Sequence, residues 1–317
     1  MTGRFMESKT SFGILRHGMD AWYLPFLAGQ TALMAALWTG WLSSWPAWLA
    51  WYAVAWLAVS SANIKHNHMH RRTFRATWAN LALDHWLGLM TGTTATSILT
   101  EHNLRHHGHS NSEDDFVRAS LVGFRSQWLN VLCFFPRAAY ELYVRKPLDF
   151  PHWWGTNRTL FWRGLAEQAT LWGTFATLLA FDWRATLLYV ALPWLHGQWW
   201  LVTFNLLHHQ ALAPDDPWQN SRNLVNHWTN LLFFNVGYHT AHHLRPTLHW
   251  SELPRFHAEH VAPRIDPRLV SDNLWYFYRE WFSRRSVPPA APQRASECRQ
   301  RAAPPDNDLL HSTPKVI

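Results

Sequence analysis

Hydrophobic residues in this chain are concentrated in four long uncharged or nearly uncharged runs, and the runs come in pairs. The first, from Ala21 to Leu42, is separated only by Ser43, Ser44 and Trp45 from the second, Pro46 to Ile64. Each is close to the roughly 20 residues that cross a bilayer as a helix, and so short a turn between them predicts a helical hairpin. A second pair follows, Ala166 to Trp183 and Ala185 to Leu207, with Glu167 the one acid near its start. No strand-like alternation competes with this pattern. It predicts an all-α integral membrane protein of about four transmembrane helices in two hairpins.

The charges flanking the runs set the orientation. Arg4, Lys9 and Arg16 precede the first run, and Lys65, Arg71, Arg72 and Arg75 follow the second. The bias of Lys and Arg toward the cytoplasm predicts that both flanks lie there, and with them the Arg-rich stretch up to Arg163 and the segment carrying Arg222, Arg245 and Arg255. Both termini then face the cytoplasm. Residues 1–20 read as a cytosolic N-terminal segment without a cleavable signal, 21–282 as one membrane and catalytic domain, and 283–317, rich in Pro, Ala and Arg, as a disordered tail. Between Leu121 and Trp154 an aromatic and basic stretch reads as helices lying on the membrane.

Composition changes the picture in two ways. The mean hydropathy of -0.22 argues against a membrane protein, but it scores Trp and His as polar, and the chain carries 23 Trp and 21 His. Trp favours the membrane–water boundary, so the low average is a property of the scale. The net charge of +7 fits a face meeting anionic headgroups. No basic module interleaved with aromatics points to nucleic acid. Two cysteines, Cys133 and Cys298, leave no disulfide framework and no Cys-rich zinc or iron–sulfur site.

The histidines carry the chemistry. They gather in four clusters, "KHNHMH", "HNLRHHGH", "HHQ" and "HTAHH", all at or just beyond the ends of the apolar runs. His66 and His70 are four apart, His102 and His106 likewise with His107 adjacent, and His239 stands three and four before His242 and His243. These steps bring imidazoles to one helix face. A single zinc takes about four ligands, so eight histidines in three spaced sets fit two metal ions, and imidazole by itself suits iron, copper, nickel or zinc. His17, His85, His152, His249, His257, His260 and His311 read as hydrogen-bonded or solvated, and the same reading is preferred for His68, His109, His196 and His227.

His66-x-x-x-His70, His102-x-x-x-His106-His107 and His239-x-x-His242-His243, ordered around two apolar hairpins, resemble the three histidine boxes of the membrane fatty acid desaturase and hydroxylase superfamily. The resemblance implies transmembrane helices capped by a cytosolic helical domain, and in that cap a non-haem centre of two Fe ions that uses O2 to oxidise unactivated C–H bonds of acyl chains. It also implies a ninth ligand: an Asn followed four residues later by His marks the alkane hydroxylase branch, and Asn205 and His209 have that spacing. His208 departs from the pattern, standing where that branch has a glutamate. Asp84, Glu101, Glu113, Asp114 and Asp115 are candidates to orient the imidazoles, although the "SEDD" run reads equally as a solvated loop.

An acyl methylene has no acidic proton, so neither a general base nor a nucleophile attacks it, and a metal cofactor must supply the chemistry. The chain has no dinucleotide fingerprint, flavin motif or cluster cysteines, so electrons come from a separate ferredoxin, rubredoxin or cytochrome with its reductase. The expected substrate is a fatty acyl lipid, an acyl thioester or a free fatty acid. Desaturation is the leading outcome. Hydroxylation, carotenoid ketolation and decarboxylation to a terminal alkene stand beside it, with a zinc-dependent membrane hydrolase and a non-enzymatic metal-binding protein as readings from other classes.

Overall fold

The computed structural model describes residues 13–99, 102, 106–107, 115–145, 150–212, 216–275, 279 and 282. The expected N-terminal segment is therefore described only from residue 13, and the expected disordered tail lies outside the described residues. Among those described, the architecture is all-α apart from an isolated antiparallel bridge between Leu15 and Phe74 and one two-residue parallel pairing, β1 (Asn223–Leu224) with β2 (Val270–Ser271), in the register Asn223 to Val270 and Leu224 to Ser271.

The first hairpin is formed by α1 (Tyr23–Trp38) and α2 (Trp45–His70). Here α1 is shorter than the apolar run predicts, because Gly40 turns the chain in the left-handed region at φ 73°. Pro46 in the first turn of α2, where its missing N–H costs nothing, starts the second arm. That arm runs past the expected end at Ile64 to His70, which makes the first histidine set part of the last turns of α2. Helix α3 (Thr77–Thr91) follows, closed by Gly92 in the left-handed conformation. Helix α4 (Gln127–Tyr140) exposes Trp128, Leu129 and Leu132 and buries Asn130 and Phe134.

The second hairpin pairs α5 (Arg158–Phe181) with a continuous arm: a turn at Trp183–Thr186, a π-helical turn at Leu187–Ala191, and α6 (Leu192–His209). Asn157 caps α5 by accepting from the Leu160 amide at 3.0 Å. Glu167 is buried within α5, where it accepts from the backbone amide and hydroxyl of Thr96 at 2.9 and 3.1 Å and pairs with Arg163 at 3.0 Å. The acid that interrupts the apolar run is thus fully partnered.

The two hairpins lie side by side with their tips together. The Trp38 indole donates to the Thr186 hydroxyl at 2.9 Å and the Trp51 indole to the Leu188 carbonyl at 2.9 Å. Trp41, Trp48, Phe181 and Trp183 project outward around these tips. Helices α2 and α6 cross closely: a Cβ on Gly197 would stand 3.0 Å from the Ala58 backbone, so a larger residue would have to push the two helices a few tenths of an ångström apart. The crossing delivers the C-terminal ends of α2 and α6, His70 and His209, to the end of the molecule opposite the tips. Among the described residues one helix, Pro46–His70, is both long and apolar enough to cross a membrane. By length α1 spans about 24 Å, less than a typical hydrocarbon core.

Candidate metal centre

Nine imidazoles from four segments meet at the end of the molecule away from the hairpin tips. His66 and His70 come from the last turns of α2 and His209 from the last turn of α6. His239, His242 and His243 come from α7 (His239–Leu244), and His102, His106 and His107 come from the segment between Leu99 and Asp115. They sort into two adjoining groups, His66, His70, His102, His107 and His242 in one, and His106, His209, His239 and His243 in the other. Within each group one nitrogen of every ring lies within 4.8 Å of the others. Both adjacent pairs, His106–His107 and His242–His243, divide between the groups. Neighbouring residues on a helix point about 100° apart, so an adjacent pair serves two centres; of the four-residue steps, His66–His70 and His239–His243 each stay within one group, whereas His102 and His106 divide.

The geometry concentrates lone pairs. In the larger group His66 Nε2 is 2.7 Å from His102 Nε2, and His107 Nε2 lies 3.0 Å from His102 Nε2 and 3.1 Å from His242 Nε2. In the smaller group His209, His239 and His243 set their Nε2 atoms in a triangle of 2.8, 3.1 and 3.2 Å. The outer nitrogens fix the tautomers. His209 donates from Nδ1 to the Asn220 carbonyl at 2.9 Å, and His106 from Nδ1 to the Asp115 carboxylate at 2.8 Å, both acceptors only. Their Nε2 atoms therefore carry bare lone pairs directed inward. His70 Nε2 and His106 Nε2 are buried and have no hydrogen-bond partner. Protonation is not the remedy: burial first, and the neighbouring imidazoles second, hold His102, His107, His239, His242 and His243 well below the ordinary imidazole range. Neutral rings with converging, unsatisfied lone pairs fit a pair of metal cations.

The rings are aimed by a shell of hydrogen bonds that sequence reading found only in part. Asp115 is itself fixed by the Val117 amide at 3.0 Å, and Asn205 of α6 donates to the Val117 carbonyl at 2.7 Å, so the segment holding His106 is pinned to α6. The run Asn220-Ser221-Arg222-Asn223 wraps the end of α6: its carbonyls accept from His209 and His208, and the Arg222 amide donates to the His208 carbonyl at 2.9 Å. The same run holds α7, with the Asn223 side chain accepting from the Thr240 amide at 3.0 Å and donating to its hydroxyl at 2.8 Å. Gly237 enters this corner so closely that a Cβ would stand 2.0 Å from the Leu224 carbonyl oxygen. The four polar residues 220–223 were missed; their signal is a charged, amide-rich run placed between two histidine clusters.

One candidate is corrected. Asp84, expected among the acids that orient the nine rings, instead lies against His68 at 3.2 Å and binds Arg72 at 2.8 Å and Arg163 at 2.7 Å, touching none of the nine. Burial alone would raise its carboxyl, but the His68 hydrogen bond and the two guanidinium groups more than offset this and hold it below the usual carboxylate range. It serves the joint between α2, α3 and α5. Glu101, Glu113, Asp114, His109 and His311 lie outside the described residues. His208 is stacked on His239, ring centroids 4.1 Å apart, and stands outside both groups. His249 bonds Asp20 at 2.8 Å and His196 the Ala55 carbonyl at 2.9 Å, the structural roles expected of them.

A family profile described as fatty acid desaturase matches residues 43–284, most of the chain and all nine of these histidines. The chain belongs to the fatty acid desaturase family. No curated protein matches it. The family is one of membrane-bound oxidoreductases of lipid metabolism that act on fatty acyl chains. For this desaturase-family chain the match begins in the turn before α2 and includes both arms of the second hairpin, leaving α1 outside it.

Proposed function

We propose that the chain is a membrane-bound oxidoreductase in which the nine histidines hold two iron ions and O2 is used to oxidise an unactivated C–H bond of a fatty acyl chain, with desaturation as the leading outcome. The observation that carries the reading is the pair of adjoining all-imidazole groups, each containing a buried Nε2 without a partner, in a fatty acid desaturase-family chain. His66, His70, His102, His107 and His242 would hold one ion, and His106, His209, His239 and His243 the other. Two such irons, supplied with O2 and electrons, provide the oxidising power to remove a hydrogen atom from a methylene group.

The protein's own part is to position and to exclude. Asp115 and the Asn220 carbonyl keep His106 and His209 in the tautomer that presents Nε2 inward. Burial of His106, His209, His239 and His242, with the other five rings half-buried, keeps much of the bulk water from the lone pairs. The side-by-side hairpins support four membrane crossings, with the outward Trp and Phe of the tips at the far boundary and the histidines at the cytoplasmic one. Arg71 and Arg75, next to the end of α2, give that face the charge to attract an acidic ferredoxin, rubredoxin or cytochrome.

Mass spectrometry of lipids and volatile hydrocarbons from cells expressing the chain, beside a His106→Ala control, tests the reading. New unsaturated acyl chains that disappear with His106→Ala are expected. Hydroxylated chains or terminal alkenes would move the outcome within the same chemistry. O2-independent turnover with one zinc per chain would overturn it.

A further inference from the structure

The turn that joins the short helix His227–Leu232 to α7 carries two consecutive non-glycine residues in the left-handed region, Phe234 at φ 54° and Asn235 at φ 60°. Such a backbone is strained for a residue with a side chain and persists only where its surroundings hold it. Here they do. Phe234 is fully buried, with the rings of Tyr23 and Phe26 each 5.1 Å away and that of Trp250 at 5.4 Å. The Asn235 backbone N–H donates to the Asn230 carbonyl at 2.8 Å, and its side chain donates to the Trp250 carbonyl at 2.9 Å. Asp20, in the segment before α1, in turn accepts from the Trp250 indole at 3.1 Å and from His249 at 2.8 Å.

The strained turn brings the Phe234 carbonyl to α2, where it accepts from the Asn67 side-chain amide at 3.3 Å. That contact decides which way round the Asn67 amide lies, because the opposite orientation would set two carbonyl oxygens against each other. Asn67 Oδ1 is therefore the atom that stands 3.2 Å from His66 Nδ1. An amide oxygen can only accept, so the ring hydrogen of His66 belongs on Nδ1, and Nε2, 2.7 Å from His102 Nε2, carries a bare lone pair. Asn67 thus does for His66 what Asp115 does for His106 and the Asn220 carbonyl for His209.

We propose that Asn67 is a positioning residue for the larger, five-histidine group: it fixes the tautomer of His66, and the strained turn at Phe234 and Asn235 fixes Asn67. This rests on the reading of the nine histidines as a two-metal centre. The strain then has a purpose, since a relaxed turn would withdraw the Phe234 carbonyl and free the Asn67 amide to rotate. It also gives the segment before α2 a part in the site. Asp20 and Tyr23 lie ahead of the family-matched residues 43–284, yet they brace the turn through Trp250 and Phe234.

The test is chelator titration of the iron-loaded full chain in detergent, with Asn67→Leu and Asn67→Asp beside the unmodified protein. Asn67→Leu keeps the bulk but offers nothing to Nδ1, and one ion is expected to leave at about 10–100-fold lower chelator concentration while the other leaves at the unmodified value. Asn67→Asp still presents an acceptor to Nδ1 and is expected to release both ions near the unmodified concentration, whereas a merely structural role would suffer at least as much from the added charge. If Asn67→Leu does not fold, Asn235→Ala decides by the same criterion, because it frees the turn from Trp250 and leaves Asn67 in place. Release of both ions at the unmodified concentration from the folded Asn67→Leu protein, or release from Asn67→Asp as early as from Asn67→Leu, overturns the proposal. Failure of the broader reading is separate: the unmodified protein then does not hold two ions, before any substitution is made.

Discussion

Replacing Asp115 by Asn tests whether the acid next to His106 acts on a metal site. Asp115 accepts from His106 Nδ1 at 2.8 Å, and both side chains are 1% exposed. The substitution keeps the volume, removes the negative charge, and allows an amide N–H to face Nδ1. That arrangement moves the ring hydrogen to Nε2, the atom that points into the four-histidine group. Loss of such an orienting partner weakens metal binding by about 10–100-fold, or roughly 1.4–2.8 kcal/mol. Only the group containing His106 touches Asp115, so the two ions should separate in a chelator titration of the purified, metal-loaded protein. One ion is expected to leave at about 10–100-fold lower chelator concentration while the other leaves at the unmodified value. Release of both ions together at the unmodified concentration would refute the argument, because the Asp115 hydrogen bond would then have no bearing on the tautomer of His106.

Asp84→Ala should act on folding rather than metal: it strips Arg72, Arg163 and His68 of a shared, buried partner, and thermal or denaturant unfolding should report a loss of about 3–5 kcal/mol with metal stoichiometry unchanged in the folded fraction. His209→Ala should empty the four-histidine group, whereas His208→Ala, which removes a ring stacked on His239 but outside both groups, should retain two metals by elemental analysis. The reverse result would show that the register at the end of α6 is wrong. Gly197→Leu should separate α2 from α6 at the Ala58 contact, costing about 1–3 kcal/mol by overpacking and lowering metal retention through the displaced ends of both helices. An unchanged melting temperature would mean that the crossing is looser than described.

The pairing of apolar runs was legible along the chain because a helix that is apolar over about 20 residues needs no partner to declare itself. The histidine sets were legible for a similar reason: steps of three and four residues are local, and a helix turns them into a face whatever surrounds it. That logic also separates His106 from His107 and His242 from His243, since adjacency on a helix means divergence. Helix limits were less legible. The end of α1 depends on Gly40, and the extension of α2 to His70 carries a polar, histidine-rich turn that only the neighbouring segments can bury.

What tertiary structure alone decided is which histidines share a group and which acids serve them. His102 and His242 are 140 positions apart in sequence yet lie in one group, because the segment between Leu99 and Asp115 and helix α7 meet there. Asp84 and Asp115 look alike as candidates on the chain, but the fold turns one toward two arginines and the other toward His106. Asn220 and Asn223 gave no signal by spacing, because their role is to present a carbonyl and an amide to helices that reach them from elsewhere. Local periodicity determines which face a side chain occupies; the long-range packing of α2 against α6, closed at Gly197, determines what that face meets.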